Sequence, residues 1–544
     1  MKLHPVLRRI LSPLAGRIPS LSVLSSGNLA VAVITFLRQM VIARSFGTSW
    51  QTDAYSVALL LPVILRDVIA LTINATLIPN YSDVLFRKGP AAASALLSRV
   101  VNWILASTLI LSLSLFLLSG PLSSLIGPGL SPEAGDLTSE LLRILSPTIM
   151  LSALSGTLQG LCDSRRLYGL NALLRLGEVA VALAAVIVLD GPLGIHALPI
   201  SMLAGSVAVA AVLLMASGRL RYGYRPLFDP SDPDFARMFR MALPVVAGAS
   251  VVALAPISDK ILGSFLAENS LTSLDYANRM MTVLFTVALA PVTTIAIVNL
   301  SEFAARSDLA AARTEVGKLL RITSALTLPG AAMLVLAAEP LVSVLFQRGL
   351  FTPDDTATVA RAVRFYSPWL PAYGICGVLS ICFYSLKDSK TPIIAALFSM
   401  VANILLNIIL MSHLGIGGLA LGTSLASAGM AVMLFQGLRR RIGGPDLPGL
   451  ARSHAAIAAG TLLMAASVWS VMHLVPFDSS MPFPGRLLTL SAYLAAGILV
   501  YAAFMSLWRR RGVDSTAAGA DTPGTPRGCG GIDRPHGGGG PEER

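Results

Sequence analysis

The chain has 544 residues, of which 54% are hydrophobic and only 13% charged, with a mean hydropathy of +0.72. That balance excludes an ordinary soluble globular domain and describes a chain that folds in lipid. The formal charge of +12 is spread over short loops with no nucleic-acid module beside it, so it reads as a topology signal and not as a polyanion-binding surface.

Residues 1–20 form a basic leading segment. The apolar run after it lacks a small-residue cleavage site and is interrupted by Arg38, so it reads as a first span and not as a signal peptide. Runs of roughly 20 apolar residues, each long enough to cross about 30 Å of hydrocarbon, then continue along nearly the whole length. They fall near 21–45, 53–79, 101–124, 138–162, 168–190, 194–217, 236–263, 272–301, 318–346, 360–386, 391–412, 416–437, 453–474 and 486–508. The fold class is therefore an all-α polytopic membrane protein of about 14 transmembrane helices. Pro62, Pro147, Pro244, Pro291, Pro329 and Pro368 fall inside spans, where neighbouring helices tolerate a kink. From 509 to 544 the chain turns to Gly, Pro, Thr and Arg, a composition expected to be disordered. Cys162, Cys376, Cys382 and Cys529 have no spacing that suggests a disulfide set or a zinc site.

The chain also repeats itself. Arg143, Ser146 and Pro147 recur 221 residues on as Arg364, Ser367 and Pro368. Cys162-Asp163-Ser164-Arg165 returns as Lys387-Asp388-Ser389-Lys390, Leu193-Gly194-Ile195 as Leu414-Gly415-Ile416, and the Asp53 region has a looser echo around Asp275. Two related halves follow. Their basic loops fall on the same side, so the halves are expected to be parallel, with a site between them.

Loop charge sets the orientation, because Lys and Arg are retained on the cytoplasmic side. Arg87, Lys88, Arg165, Arg166, Arg219, Arg221, Arg306, Lys387, Lys390 and Arg439 to Arg441 occupy every second connection, while Glu133, Asp136, Asp190, Glu268, Asp354, Asp355 and Asp478 occupy the others. Both termini are expected to be cytoplasmic.

Ionisable groups within spans are costly unless they face protein or a water-filled cavity, which singles out Arg38, Arg66 with Asp67, Asp259 with Lys260, and Arg279, with Asp53 at the outer end of the second span. Guanidinium groups stay charged when partly desolvated and bind phosphate bidentately, so Arg38 and Arg66 suggest a cationic cavity for a phosphorylated substrate. The bland alternative is buried pairing, Arg66 with Asp53 or Asp67 and Arg279 with Asp275. Arg44 and Glu178 lie nearer span ends, where snorkelling explains them. Asp259, Asn403, Asn407 and Thr423 offer hard oxygens of the kind that bind a small cation, against the alternative of interhelical hydrogen bonding.

Several segments in this order resemble the MurJ (MviN) lipid II flippase family of the multidrug, oligosaccharidyl-lipid and polysaccharide exporter superfamily. They are Phe36-Leu37-Arg38, Ala43-Arg44-Ser45-Phe46-Gly47, Thr52-Asp53-Ala54-Tyr55, Leu65-Arg66, Leu345-Phe346-Gln347-Arg348-Gly349-Leu350-Phe351-Thr352, Phe383-Tyr384-Ser385-Leu386-Lys387-Asp388-Ser389-Lys390-Thr391-Pro392 and Asn403-Ile404-Leu405-Leu406-Asn407. The resemblance implies two parallel-repeat six-helix lobes, 21–222 and 236–441, joined by a cytoplasmic linker at 223–235 and enclosing a cationic cavity. Two further helices, 442–508, would line a groove for a polyprenyl tail.

By likeness of motif, Arg38, Arg66 and Arg279 match substrate-binding positions, Asp53 a gate, and Asp259, Asn403, Asn407 and Thr423 a cation site of the kind that holds Na+. The implied function is a bacterial inner-membrane flippase of undecaprenyl-pyrophosphate-linked lipid II, a monomeric transporter and not an enzyme, with membrane lipids and no nucleic acid as partners. The chain departs from the family pattern at Val31-Ala32, Gln39, Asn278 and Thr282, and reads Arg66-Asp67 where the family has paired arginines. Those departures keep open another lipid-linked oligosaccharide as cargo, and outside that class a cation-coupled exporter of small amphiphiles or a membrane scaffold.

Overall fold

The computed structural model describes residues 19–164, 167–217, 223–444 and 446–517. Among them every regular element is helical, and ten stretches are long and apolar enough to cross a membrane. The leading segment before 19, the basic loop residues Arg165, Arg166, Arg219 and Arg221, Cys529 and the tail beyond 517 lie outside the described residues. The last helix, Phe483–Ala517, continues past the boundary expected at 508.

The longest helical stretch, Trp50–Leu117, bends at Gly89, whose φ of 82° is open to glycine at little cost, and so carries two of the expected spans. Other apolar runs are interrupted where the sequence reads as continuous. The 101–124 run breaks at Leu118, 138–162 at Ser146, 318–346 at Ala337 and 360–386 at Ser367 and Pro368. Hydropathy reports lipid compatibility and is blind to such breaks. Two have a clear cause: Pro147 and Pro368 have no N–H to donate and crowd the preceding turn.

The repeat is visible in the backbone. Ser146 and Ser367 cap the short helices Pro132–Leu145 and Pro353–Tyr366 with dihedrals of −55°, −38° and −56°, −36°, and their hydroxyls donate to the carbonyls of Arg143 and Arg364 at 2.9 and 2.8 Å. Gly194 (φ 52°) and Gly415 (φ 57°) make the same left-handed turn between helices. Asp163 accepts both its bonds from Asn171 at 2.8 Å, and Asp388 accepts from Thr391 and Arg441. Helix pairings repeat as well: Tyr168–Leu193 packs on Ala197–Ser217 as Lys390–Leu414 packs on Ile416–Ile442. Pro19–Phe46 packs on the first of these pairs as Pro233–Gly263 packs on the second. Pro233–Gly263 also packs along Trp50–Leu117, tying the two halves together.

Leu109, Ile110, Met215, Val252, Ile409 and Leu462 are all more than half exposed. On a water-soluble protein such a surface would be an aggregation liability, whereas in a bilayer it is the lipid-facing side. Inside, Phe346 packs at a tilt against Phe36 of the first half and Tyr276 of the second, with ring centroids 5.6 and 5.2 Å away. This aromatic cluster sits at the end of the molecule that carries the acidic turns.

Candidate functional site

Pro19–Phe46, Trp50–Leu117, Pro233–Gly263 and Ser270–Ala305 enclose a cavity of about 370 Å³, lined among others by Arg38, Tyr55, Asp67, Lys260, Asp275 and Arg279. Arg38 makes only long contacts, its Nη2 lying 3.5 Å from the Tyr55 hydroxyl and 3.4 Å from Ser201, and its buried Nε has no partner. Arg279 stands one turn beyond Asp275 on the same helix. The alternative of an ion pair between these two does not form, because Lys260 takes the Asp275 carboxylate at 2.6 Å, with Ser56 bonded to both. Among the described residues Arg279 has no ion pair, and its side chain is exposed to the cavity. Arg66 is held only by its neighbour Asp67 at 3.3 Å, an exposed pair of the kind that contributes at most about 1 kcal/mol. Arg38 and Arg66 both lie within electrostatic range of Arg279. Three cations, Arg38, Lys260 and Arg279, thus line the cavity with two carboxylates, Asp67 and Asp275, and Arg66 lies outside that lining.

Lys260, singled out in the sequence only beside Asp259, was not assigned to the cavity, yet it points there and away from its neighbour, since adjacent residues on a helix are turned about 100° apart. That angle was the available signal. Gln39, Asn278 and Thr282, three of the positions that depart from the family pattern, all line the cavity.

Above the cavity, Asp53 joins the halves. Asn269, at the start of Ser270–Ala305, sits at φ 72° and supplies no side-chain cap, leaving the first N–H groups of that helix unsatisfied. Asp53 fills the gap, accepting from the Asn269 N–H, the Thr272 N–H and the Thr272 hydroxyl, each at 2.7 Å. Around it, Thr48 bonds Asp355, the Leu350 N–H donates to the Arg44 carbonyl at 2.9 Å, and the Gly129 N–H donates to Ser264 at 3.1 Å. Gly47 (φ 59°) lies so close to Leu350 that a Cβ would come within 2.5 Å of its carbonyl oxygen. Two of the motifs that carry the family resemblance, around Gly47 and Gly349, therefore meet face to face. At the opposite, basic end the start of Pro233–Gly263 is tied to the first half by Lys88 to Asp234 at 2.6 Å, Arg99 to Asp232 at 3.0 Å and Arg237 to Asp83 at 3.4 Å, with Phe235 and Met238 buried against Tyr81 and Val84.

The polar set is also brought together. Asn407 donates to Asp259 at 2.7 Å and to Asn403 Oδ1 at 3.3 Å, and Asn403 donates to Thr423 at 3.0 Å. Asn407 Oδ1 is buried without a partner. Among the described residues no cluster of three His, Cys, Asp or Glu side chains occurs, so any cation here would rest on one carboxylate and neutral oxygens. That donor set fits a hard monovalent ion better than zinc or another transition metal.

Two structurally repeated halves, an uncompensated cationic cavity between them and a seal across one end define the class: a polytopic membrane protein built around an internal polar chamber. The family model described as "Lipid II flippase MurJ" matches residues 42–484. The chain belongs to that family. It is 26% identical over 521 residues to a probable lipid II flippase MurJ of Rhizobium meliloti (strain 1021), covering 92% of this chain and 96% of that one. It is 27% identical over 517 residues to the lipid II flippase MurJ of Burkholderia cenocepacia, covering 90% and 98%. Among solved structures, a lipid II flippase MurJ in an inward closed conformation superposes with a TM-score of 0.77 at 23% identity, covering 90% of this chain and 99% of that one. An inward-facing multidrug resistance MATE family transporter of the MOP superfamily gives 0.64 at 14% identity over 78% and 96% of the two chains, a likeness of fold alone.

Proposed function

We propose that this protein carries lipid II, an undecaprenyl-pyrophosphate-linked peptidoglycan precursor, from the cytoplasmic to the outer leaflet of the bacterial inner membrane by alternating access. The observation that carries this reading is the surplus of cations in the cavity: Arg38 and Arg279 face it without a carboxylate of their own, which suits a pyrophosphate and not a cationic drug. No covalent chemistry is required, so the protein is a transporter and not an enzyme.

In this reading the helices resolve into fourteen crossings, as two six-helix lobes and a C-terminal pair beside the polyprenyl tail. Both termini are cytoplasmic and the transporter acts as a monomer. The acidic end then faces outward and is closed by Asp53, while the cavity is loaded from the cytoplasm. Asp259, Asn403, Asn407 and Thr423 would hold Na+, supported by the unpartnered Asn407 Oδ1. When bound, that ion would neutralise Asp259, and cation entry or the membrane potential, worth about 2.3 kcal/mol per charge at 100 mV, would bias the cycle.

A second reading, another lipid-linked oligosaccharide as cargo, is favoured by Gln39, Asn278 and Thr282 in the cavity wall. Complementation separates the two. In a host depleted of its lipid II flippase, the wild-type chain is expected to restore outward exposure of lipid II, and Arg38→Ala, Arg66→Ala and Arg279→Ala to abolish it at equal abundance. No restoration by a well-inserted protein would favour the second cargo, and restoration indifferent to all three arginines would sink the cationic site.

A further inference from the structure

Three arginines stand together at the acidic end: Arg44 in the last turn of Pro19–Phe46, Arg348 just after Ala338–Phe346, and Arg486 in the first turn of Phe483–Ala517. None of them lines the cavity. Arg486 is 9% exposed, and its Nη1 donates to the Ser343 hydroxyl at 3.0 Å, the Ser343 carbonyl at 3.5 Å and the Gln347 carbonyl at 3.4 Å. Its Nε is buried with no partner. Arg348 donates to the Val344 carbonyl at 2.9 Å and lies over the Phe483 ring, 4.4 Å from its centroid. Arg44 lies against Gly349 and accepts the Leu350 N–H on its carbonyl.

Among the described residues no carboxylate comes within ion-pair distance of any of the three. The acids nearby are engaged elsewhere: Asp355 with Thr48 and the Thr352 N–H, Asp478 with the Ser480 N–H. Burial, and after it the Arg486 and Arg44 charges, push the Arg348 guanidinium below its usual value. Such a cluster is destabilising by itself, both by repulsion and by the unsatisfied Nε, and an anion accepting several charge-assisted hydrogen bonds would relieve it.

The surroundings say which kind of anion. Leu350 (65% exposed), Phe483 (39%), Leu487 (43%) and Leu488 (74%) flank the arginines with apolar surface that belongs in hydrocarbon. We propose that Arg44, Arg348 and Arg486 form a second site, separate from the cavity, for the phosphate headgroup of a lipid whose chains lie in the adjoining leaflet. A phosphate there would bridge Arg44 of the first half to Arg348 of the second and Arg486 of the C-terminal pair, so an occupied site holds the sealed end shut. That the leaflet is the outer one rests on the orientation proposed above; the chemistry of the site does not.

The full-length protein in detergent, carrying Arg38→Ala and Arg279→Ala to silence the cavity, is titrated with phosphatidylglycerol, with undecaprenyl pyrophosphate and with inorganic pyrophosphate, and binding is read by native mass spectrometry. Arg348→Gln and Arg44→Gln, both at partly accessible positions, are each expected to weaken lipid binding roughly tenfold, with partial recovery in Arg348→Lys. Preference for phosphatidylglycerol would assign the site to bulk lipid and preference for undecaprenyl pyrophosphate to the cargo, and either supports the proposal. Equal binding by the background and both glutamine variants overturns it, and inorganic pyrophosphate binding as tightly as the lipids overturns its lipid part. Labelling of Arg348→Cys by an impermeant thiol reagent in intact cells reports the face separately, so an inverted orientation is told apart from a missing site.

Discussion

The Asp53 carboxylate accepts both the N–H and the hydroxyl of Thr272 at 2.7 Å, so a residue of the first half caps a helix of the second. A carboxylate at a helix N-terminus satisfies orphan donors and opposes the positive end of the helix dipole. Its counterpart in the repeat, Asp275, reaches the other way, accepting from Ser56. The two halves thus hold each other through equivalent acids.

Asp53→Ala removes the cap and is expected to cost the closed end about 1 kcal/mol, raising the open population roughly fivefold. The labelling rate of Leu59→Cys in the cavity by an impermeant thiol reagent, in a cysteine-free background, measures this. A rate unchanged by Asp53→Ala would show that Asp53 does not hold the gate.

Gly47→Ala places a methyl against the Leu350 carbonyl at a positive φ that alanine adopts with strain. The expected result is the same rise in cavity labelling, by 1 kcal/mol or more of lost closure, because the clash with Leu350 is relieved when the halves part, whereas the positive-φ strain at the end of Pro19–Phe46 stays in either state. Cross-linking yield between cysteines at Thr48 and Asp355 should fall in parallel.

Lys260 keeps Asp275 away from Arg279. Lys260→Met is therefore expected to release Asp275 toward Arg279 and weaken lipid II binding by more than the loss of one cation alone. The double variant Lys260→Met with Asp275→Asn should recover part of that affinity, a coupling of 0.5 kcal/mol or more in a double-mutant cycle. Additive losses would mean that Arg279 is not in competition for the acid.

Sodium is expected to raise the thermal stability of the purified protein in proportion to the logarithm of its concentration, with potassium at equal ionic strength doing less. Asp259→Asn and Asn407→Ala should each remove the difference. A wild-type protein equally stable in both salts would remove the cation from the mechanism.

At the basic end, Asp388 is held below the usual carboxylate value of 3.8, first by the Thr391 N–H, then by the Thr391 hydroxyl and by Arg441. A lowered carboxylate stabilises the folded state above its unfolded value and loses that contribution as pH falls through the folded one. Asp388→Asn should therefore flatten the acid limb of stability against pH below about 4 while leaving the neutral region parallel to wild type, as read by thermal unfolding across pH.

What the sequence by itself determined was whatever local chemistry and hydropathy encode. Membrane residence followed from apolar runs, and the repeat followed from Arg143-Ser146-Pro147 and Leu193-Gly194-Ile195, whose copies adopt matching backbone turns because proline and glycine constrain them wherever they stand. Arg38, Arg279, Asp53 and the Asp259 set were also legible, since ionisable and amide groups in apolar runs are costly and need a reason. Partners were not legible. That Asp275 binds Lys260 and leaves Arg279 free, that Asp53 caps a helix more than 200 residues away, and that Arg44 meets Arg348 and Arg486 depend on which helix faces pack together. Those choices are made by burial summed over whole helices, and no local stretch of sequence contains them.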